Sequence, residues 1–78
     1  MMQTVDGTLE LATQLEMRIR VRLGGQIRDF RVVCREEGLV LQGRSRTYYA
    51  KQLAQHVVME VTSIPIIANE IEVYSSQP

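Results

Sequence analysis

The chain has 78 residues, 45% of them hydrophobic, and nine basic side chains balance nine acidic ones to give a net charge of zero. This length permits a single domain with a thin core, and the composition excludes a wholly disordered chain. Zero net charge argues against a dedicated nucleic-acid binder, although residues 17–46 hold eight arginines against three acidic side chains.

The sequence indicates neither export nor a membrane span. Its first residues lack a basic region followed by an apolar run, so we expect no signal peptide. No apolar stretch approaches the roughly 20 residues that cross a bilayer, and Cys34, the only cysteine, cannot form an internal disulfide. We therefore expect a cytoplasmic chain, or an envelope-associated one if it is part of a larger exported protein.

The first predicted element is a helix that follows a disordered tail at residues 1–8. Apolar side chains recur at helical spacing over residues 9–23, and Gly24 and Gly25 end the helix. Residues 17–23 also alternate strictly, as a half-buried strand would. We favour the helix because the apolar residues before this segment continue the helical stripe and do not continue the alternation.

A β-hairpin is expected next, with strands at residues 29–35 and 39–42. Gly38 can take the positive φ of the tight turn between them, and Gly43 is expected to end the second strand. Alternation assigns the side chains to two faces. The predicted inner face carries Phe30, Val32, Cys34, Leu39 and Leu41, and the outer face carries Arg31, Val33, Arg35 and Val40.

A second helix and a closing strand complete the order. Ser45 and Thr47 are candidate N-caps for the helix, and Pro65 cannot lie inside a central ladder, so we expect the strand at residues 66–74 and a tail at 75–78. The helix is predicted to bury Ala50, Leu53, Ala54, Val57, Val58 and Val61 and to expose Tyr48 and Met59. One face of the strand is predicted to carry Ile67, Asn69, Ile71 and Val73.

The element order predicts an α+β domain over residues 9–74. We expect a two-layer αββαβ sandwich, in which a three-stranded sheet has two helices packed on one face.

Two stretches with Lys51 between them resemble a family of small bacterial modules. Residues 36–43, Glu-Glu-Gly-Leu-Val-Leu-Gln-Gly, and residues 63–73, Ser-Ile-Pro-Ile-Ile-Ala-Asn-Glu-Ile-Glu-Val, are similar to the turn, strand and closing segment of the BON domain. Glu37 stands where the family has its turn glycine, which implies a longer or bulged hairpin, and Ser63 replaces a second glycine. The positions that carry the motif are Gly38, Leu39, Leu41, Gly43, Lys51, Ile67, Asn69, Ile71 and Val73.

The resemblance covers residues 29–73 and implies the αββαβ fold. It also implies a non-enzymatic module that binds phospholipid surfaces or other envelope components. The motif is mostly structural, so it says more about fold than about chemistry.

The residues themselves predict no catalytic, cofactor or metal site. His56, the only histidine, lacks a nucleophile or metal-ligand spacing around it, and we expect Cys34 to be packed and Asn69 to satisfy backbone groups near a turn. Arginine pairs well with phosphate and carboxylate. The candidate surface for an anionic ligand or a partner therefore comprises Arg31, Arg35, Arg44, Arg46, Tyr48 and Met59.

Three binding functions compete. The preferred one is protein association, including association with a second copy, through Val33 and Val40 and the exposed strand edges. The alternative is an anionic phospholipid surface bound by the arginines and the second helix. Nucleic acid comes third, because the sequence lacks a G-x-x-G loop and stacking aromatics of the RNA-binding kind.

Overall fold

The computed structural model describes residues 6–74. Its elements are α1 (Asp6–Leu23), a single 3₁₀ turn (Gly24–Gln26), β1 (Ile27–Arg35), β2 (Gly38–Ser45), α2 (Tyr48–Val61), β3 (Ile66–Asn69) and β4 (Glu72–Val73). The protein is therefore α+β, with two helices and a mixed sheet of four strands. Of the predicted tails, residues 1–5 and 75–78 lie outside the described residues, whereas residues 6–8 belong to α1 instead of the predicted tail.

Helix α1 contains the segment that also alternates like a strand. Its buried side chains, Leu15, Ile19 and Leu23, are spaced by four residues and are at most 2% exposed. Gly24 follows the helix with a φ of 55°, a left-handed conformation that is typical of helix ends. The helical prediction for residues 9–23 is confirmed.

The predicted hairpin is present, but its turn and its second strand differ from expectation. Arg35 and Gly38 are direct register partners, so the turn has two residues and no bulge, in contrast to the longer hairpin that the resemblance implied. β2 continues to Ser45, and Gly43 therefore does not end it.

Gly43 instead lies opposite a β-bulge that occupies the start of β1. The bulge falls between Arg28 and Arg31 and includes Asp29, which has a φ of 55°. A Cβ at Gly43 would lie 3.2 Å from the carbonyl oxygen of Arg28, and the φ of Gly43 is 152°. Glycine is present because the bulged strand approaches closely here.

The predicted closing strand is divided into β3 and β4, which lie on the same side of β2. Both run parallel to β2, whereas β1 pairs with the other edge of β2 and runs antiparallel to it. A register shift beside Ile67 turns Ile66 towards the core and leaves Ile67 44% exposed. The predicted common face of Ile67, Asn69, Ile71 and Val73 is therefore wrong at Ile67, and Val73 is also 44% exposed.

Helix α2 begins and ends where the sequence predicted. The Thr47 hydroxyl accepts the N–H of Ala50 at 3.0 Å and is the N-cap. Ser45, the other candidate, is fully buried and donates to the Thr47 carbonyl at 2.9 Å.

The core joins both helices to the inner positions of the strands. Each fully buried aliphatic side chain contributes about 1.5–3 kcal/mol. The cluster consists of Leu15, Ile19, Leu23, Ile27, Val32, Leu39, Leu41, Ala50, Ala54, Val57, Val58 and Ile71.

Candidate association surface

The six residues predicted as one binding surface lie in three places. Arg31, Arg35 and Arg44 are exposed on the strands. Arg46 follows β2 and lines a cavity with Gly25, Gln26 and Thr47. Tyr48 and Met59 are exposed on α2; the Tyr48 hydroxyl accepts from Gln52 at 2.6 Å, and Met59 lines a separate cavity beside residues 62–66.

The strand residues share the sheet face opposite Leu39 and Leu41, which we call the outer face. The strand register, with one side-chain hydrogen bond to Glu70, aligns the residues of this face in rows that cross the sheet. One row joins Arg28, Arg44 and Glu72; the next joins Arg31, Gln42 and Glu70, with Gln42 Nε2 donating to Glu70 Oε1 at 3.3 Å; the third joins Val33, Val40 and Ala68.

Charge is divided between the two sides of the outer face. Arg28, Arg31 and Arg35 are exposed along β1, and we call them the arginine column. Glu70 and Glu72 are exposed on the opposite side, beside β3 and β4, and we call them the glutamate column. The outer face is thus basic along one edge and acidic along the other.

The apolar row of Val33, Val40 and Ala68, which crosses the face from one side to the other, is less accessible than the sequence predicted. Val40 is only 4% exposed, although it lies outside the core cluster, because β2 is the central strand and is flanked on both sides. Val40 therefore offers little surface of its own, which corrects its predicted role as an exposed contact. Val33 and Ala68 are half-buried, and Ile67, beside Gly38, is the most exposed apolar side chain here.

Arg44 differs from the arginines of β1 because it has an aromatic partner. Its guanidinium lies 5.1 Å from the ring centroid of Tyr74, within the range of a cation–π contact. Tyr74 is itself tied to the sheet, since its N–H donates to the Ser45 carbonyl at 2.8 Å. Arg44 is thus directed towards the side of the sheet that carries the glutamate column.

The outer edge of β1 is covered by a side chain of α1. Glu16 Oε2 accepts the backbone N–H of Val32 at 3.0 Å. A cleft of about 380 Å³ lies beside this contact and is lined by Glu16, Ile19, Arg20, Ile27, Asp29, Phe30 and Arg31. Local sequence pattern does not indicate this role of Glu16, because the contact joins a helix to a bulged strand.

Asn69 has the structural role that the sequence predicted. Its Nδ2 donates to the Lys51 carbonyl at 3.1 Å and to Gln55 Oε1 at 3.2 Å, and its Oδ1 accepts the Ile71 N–H at 3.2 Å. Asn69 therefore satisfies the backbone where β3 gives way to β4 and links that break to α2.

A separate apolar patch lies on α1 and was missed by the sequence analysis. Met17 is 55% exposed and Val21 is 79% exposed. They lie four residues apart and line a cavity with Gln14, Arg18 and Val61 of α2. The signal was the alternation in residues 17–23, which adds apolar side chains away from the helical stripe.

Other candidate chemistry is sparse over residues 6–74. His56 is exposed, and Cys34 is half-buried and packs against the core. Within that range, no group of three metal-binding side chains occurs, and neither helix is both long enough and apolar enough to cross a membrane. No family model, no curated protein and no solved structure matches the chain.

Proposed function

We propose that this chain is a non-enzymatic association module of the BON type, which binds another folded protein through the outer face of its sheet. In this proposal the fold is a two-layer sandwich, with both helices on the face that carries Leu39 and Leu41. The preferred partner surface has an apolar centre bordered by an acidic side and a basic side.

The observation that carries this proposal is the division of charge on the outer face. Protein interfaces commonly combine an apolar centre with a polar rim, and complementary charges across them select the partner and its orientation. The outer face has this composition, because an apolar row of Val33, Val40 and Ala68 crosses it from the arginine side to the glutamate side.

An anionic phospholipid surface is the competing partner, and the same face supports it less well. A uniformly negative membrane attracts the arginine column but repels Glu70 and Glu72, which are exposed on the same face. The other arginine of the predicted surface, Arg46, lies next to Gln26 in a separate cavity. A nucleic-acid backbone meets the same repulsion.

Site-specific photo-crosslinking tests the proposal. A photoreactive phenylalanine analogue is placed at Val33, or at Ile67, in the full chain, and the matched control carries it at His56, an exposed position on α2. After irradiation in cells that express the chain, we expect covalent protein adducts from positions 33 and 67 and none from position 56.

The absence of adducts from positions 33 and 67 contradicts the proposal. Co-sedimentation of the purified chain with phosphatidylglycerol vesicles then tests the alternative. Binding at low salt that weakens as salt is added identifies the phospholipid surface as the partner.

A further inference from the structure

We infer that the partner of the outer face is a second copy of this chain, packed face to face about a two-fold axis that runs parallel to the strands. The inference rests on the proposed function and names the partner of the same surface. It follows from the order of charges across the sheet.

A two-fold axis parallel to the strands exchanges left and right across the sheet and preserves position along the strands. β1 of one copy then lies over β3 and β4 of the other. The rows of the outer face set Arg28 opposite Glu72 of the second copy, Arg31 opposite Glu70 and Val33 opposite Ala68. The same three contacts recur on the other side of the axis, as an isologous interface requires.

The charges disfavour the other two-fold arrangement that keeps the strands of the two copies aligned. An axis perpendicular to the strands places the arginine column over itself and the glutamate column over itself. Like charges placed opposite each other across an interface are strongly unfavourable. Of these two arrangements, the division of charge on this face therefore favours the parallel axis. Aligned strands are a common geometry for packed sheets.

The central strand lies on this axis, so each of its residues meets its own copy. Val40 lies at this axis, and because it is only 4% exposed it adds little contact area and leaves room for the flanking side chains to meet. Arg44 would be a source of repulsion at the axis, but its guanidinium lies over Tyr74, on the side of the sheet that carries the glutamate column. The cation–π contact thus draws the two Arg44 guanidinium groups to opposite sides of the axis, each towards Glu72, the register partner of Arg44 in the same chain.

Charge reversal with complementation tests this arrangement directly. Arg31→Glu alone sets glutamate against glutamate at two symmetric places in a homodimer, and Glu70→Arg alone sets arginine against arginine. A one-to-one mixture of the two variants restores an opposite pair at both places. Sedimentation velocity at low salt is measured for each variant, for the mixture and for the wild type, with circular dichroism to verify folding.

We expect the wild type to dimerise and each single variant to bind itself about tenfold or more weakly. The mixture should recover a dimer close to the wild type in affinity. Arg18→Glu, a reversal at an exposed position of α1, is the matched control and should dimerise like the wild type. Arg28→Glu with Glu72→Arg forms a second, independent pair if either first variant fails to fold.

Several results would overturn the inference. One is a mixture that associates no better than its components, or an Arg18→Glu variant that is weakened as much as Arg31→Glu. Another is a wild type that remains monomeric at every concentration. If adducts with another protein still form from position 33, the proposed function survives without the second copy; if none form, the proposed function fails as well.

Discussion

The side-chain carboxylate of Glu16 accepts the backbone N–H of Val32 at 3.0 Å, although the two residues are 16 positions apart in the sequence. Val32 belongs to β1, which forms one edge of the sheet. Edge strands expose backbone groups that can pair with another chain, and natural proteins cover or charge these groups. Glu16 does both at this point of the edge, which agrees with our proposal that the outer face, and not this edge, is the surface for association.

Replacing Glu16 tests this role. Glu16→Ala leaves the Val32 N–H without its acceptor in a half-buried position, and we expect a loss of about 1–2 kcal/mol in the free energy of unfolding. Glu16→Gln keeps an acceptor oxygen and should lose less, while Gln14→Ala, an exposed position on the same helix, is the control. Urea denaturation gives the stabilities, and an equal loss in the alanine and glutamine variants contradicts the account.

The glycines of this chain differ sharply in what they tolerate. Gly38 has a φ of 153°, and a Cβ there would collide with the Pro65 carbonyl oxygen. A Cβ at Gly25 would meet nothing within 4 Å. We therefore expect Gly38→Ala to destabilise by at least about 3 kcal/mol, Gly43→Ala by about 1–3 kcal/mol, and Gly25→Ala to be neutral or slightly stabilising. Chemical denaturation of the three variants ranks them, and a Gly25→Ala variant as unstable as Gly38→Ala would contradict the close approach.

Asn69 links the break between β3 and β4 to α2. The Asn69 side chain should therefore contribute more to the stability of the fold than the side chain of Gln55, its hydrogen-bond partner on α2. Asn69→Ala removes the donor to the Lys51 carbonyl and the acceptor for Ile71, and we expect it to cost about 1–3 kcal/mol. Gln55→Ala leaves both of those bonds in place and should cost less. Thermal unfolding of the two variants measures the difference, and equal losses would show that the backbone contacts of Asn69 contribute little.

The apolar patch of α1 should take no part in association. Met17→Gln and Val21→Gln change exposed side chains, so each should alter stability by no more than about 0.5 kcal/mol and leave the dimer intact. Sedimentation velocity of the double variant checks both points when it is combined with a denaturation curve. Loss of the dimer in this variant would indicate that the interface lies on α1 and not on the outer face.

The parts of the fold that the sequence could predict are those that depend on local pattern. The four-residue spacing of Leu15, Ile19 and Leu23 outweighed the alternation in the same segment, because burial needs one continuous stripe along the helix. The N-cap at Thr47 follows from a side chain that bonds its own helix.

Other features depend on contacts between distant segments, so they could not be predicted from local pattern. The bulge at Asp29 depends on how β1 aligns with Gly43, which local pattern does not show. The residue type alone does not predict it, because Asp is only one of the residues that tolerate a left-handed conformation. The break after Asn69 depends on the Lys51 carbonyl of α2.

The candidate site was predictable in composition but not in arrangement. Arg31, Arg35 and Val33 were assigned correctly to the outer side of β1 from alternation alone. Arg31 and Glu70 lie on opposite sides of Gln42, and this placement depends on the bulged register of β1 with β2 and on the Gln42–Glu70 hydrogen bond. The charge division that supports association therefore emerged only from the folded chain.

The most direct test of association through the outer face is the mass of the wild-type chain in solution, measured by sedimentation equilibrium from about 1 μM to about 1 mM. Our account predicts a mass that rises with concentration from 8.9 kDa towards that of two copies. The Arg31→Glu variant alone should not show this rise, and a one-to-one mixture of the Arg31→Glu and Glu70→Arg variants should show it again. A mass that stays at 8.9 kDa over the whole range would contradict self-association.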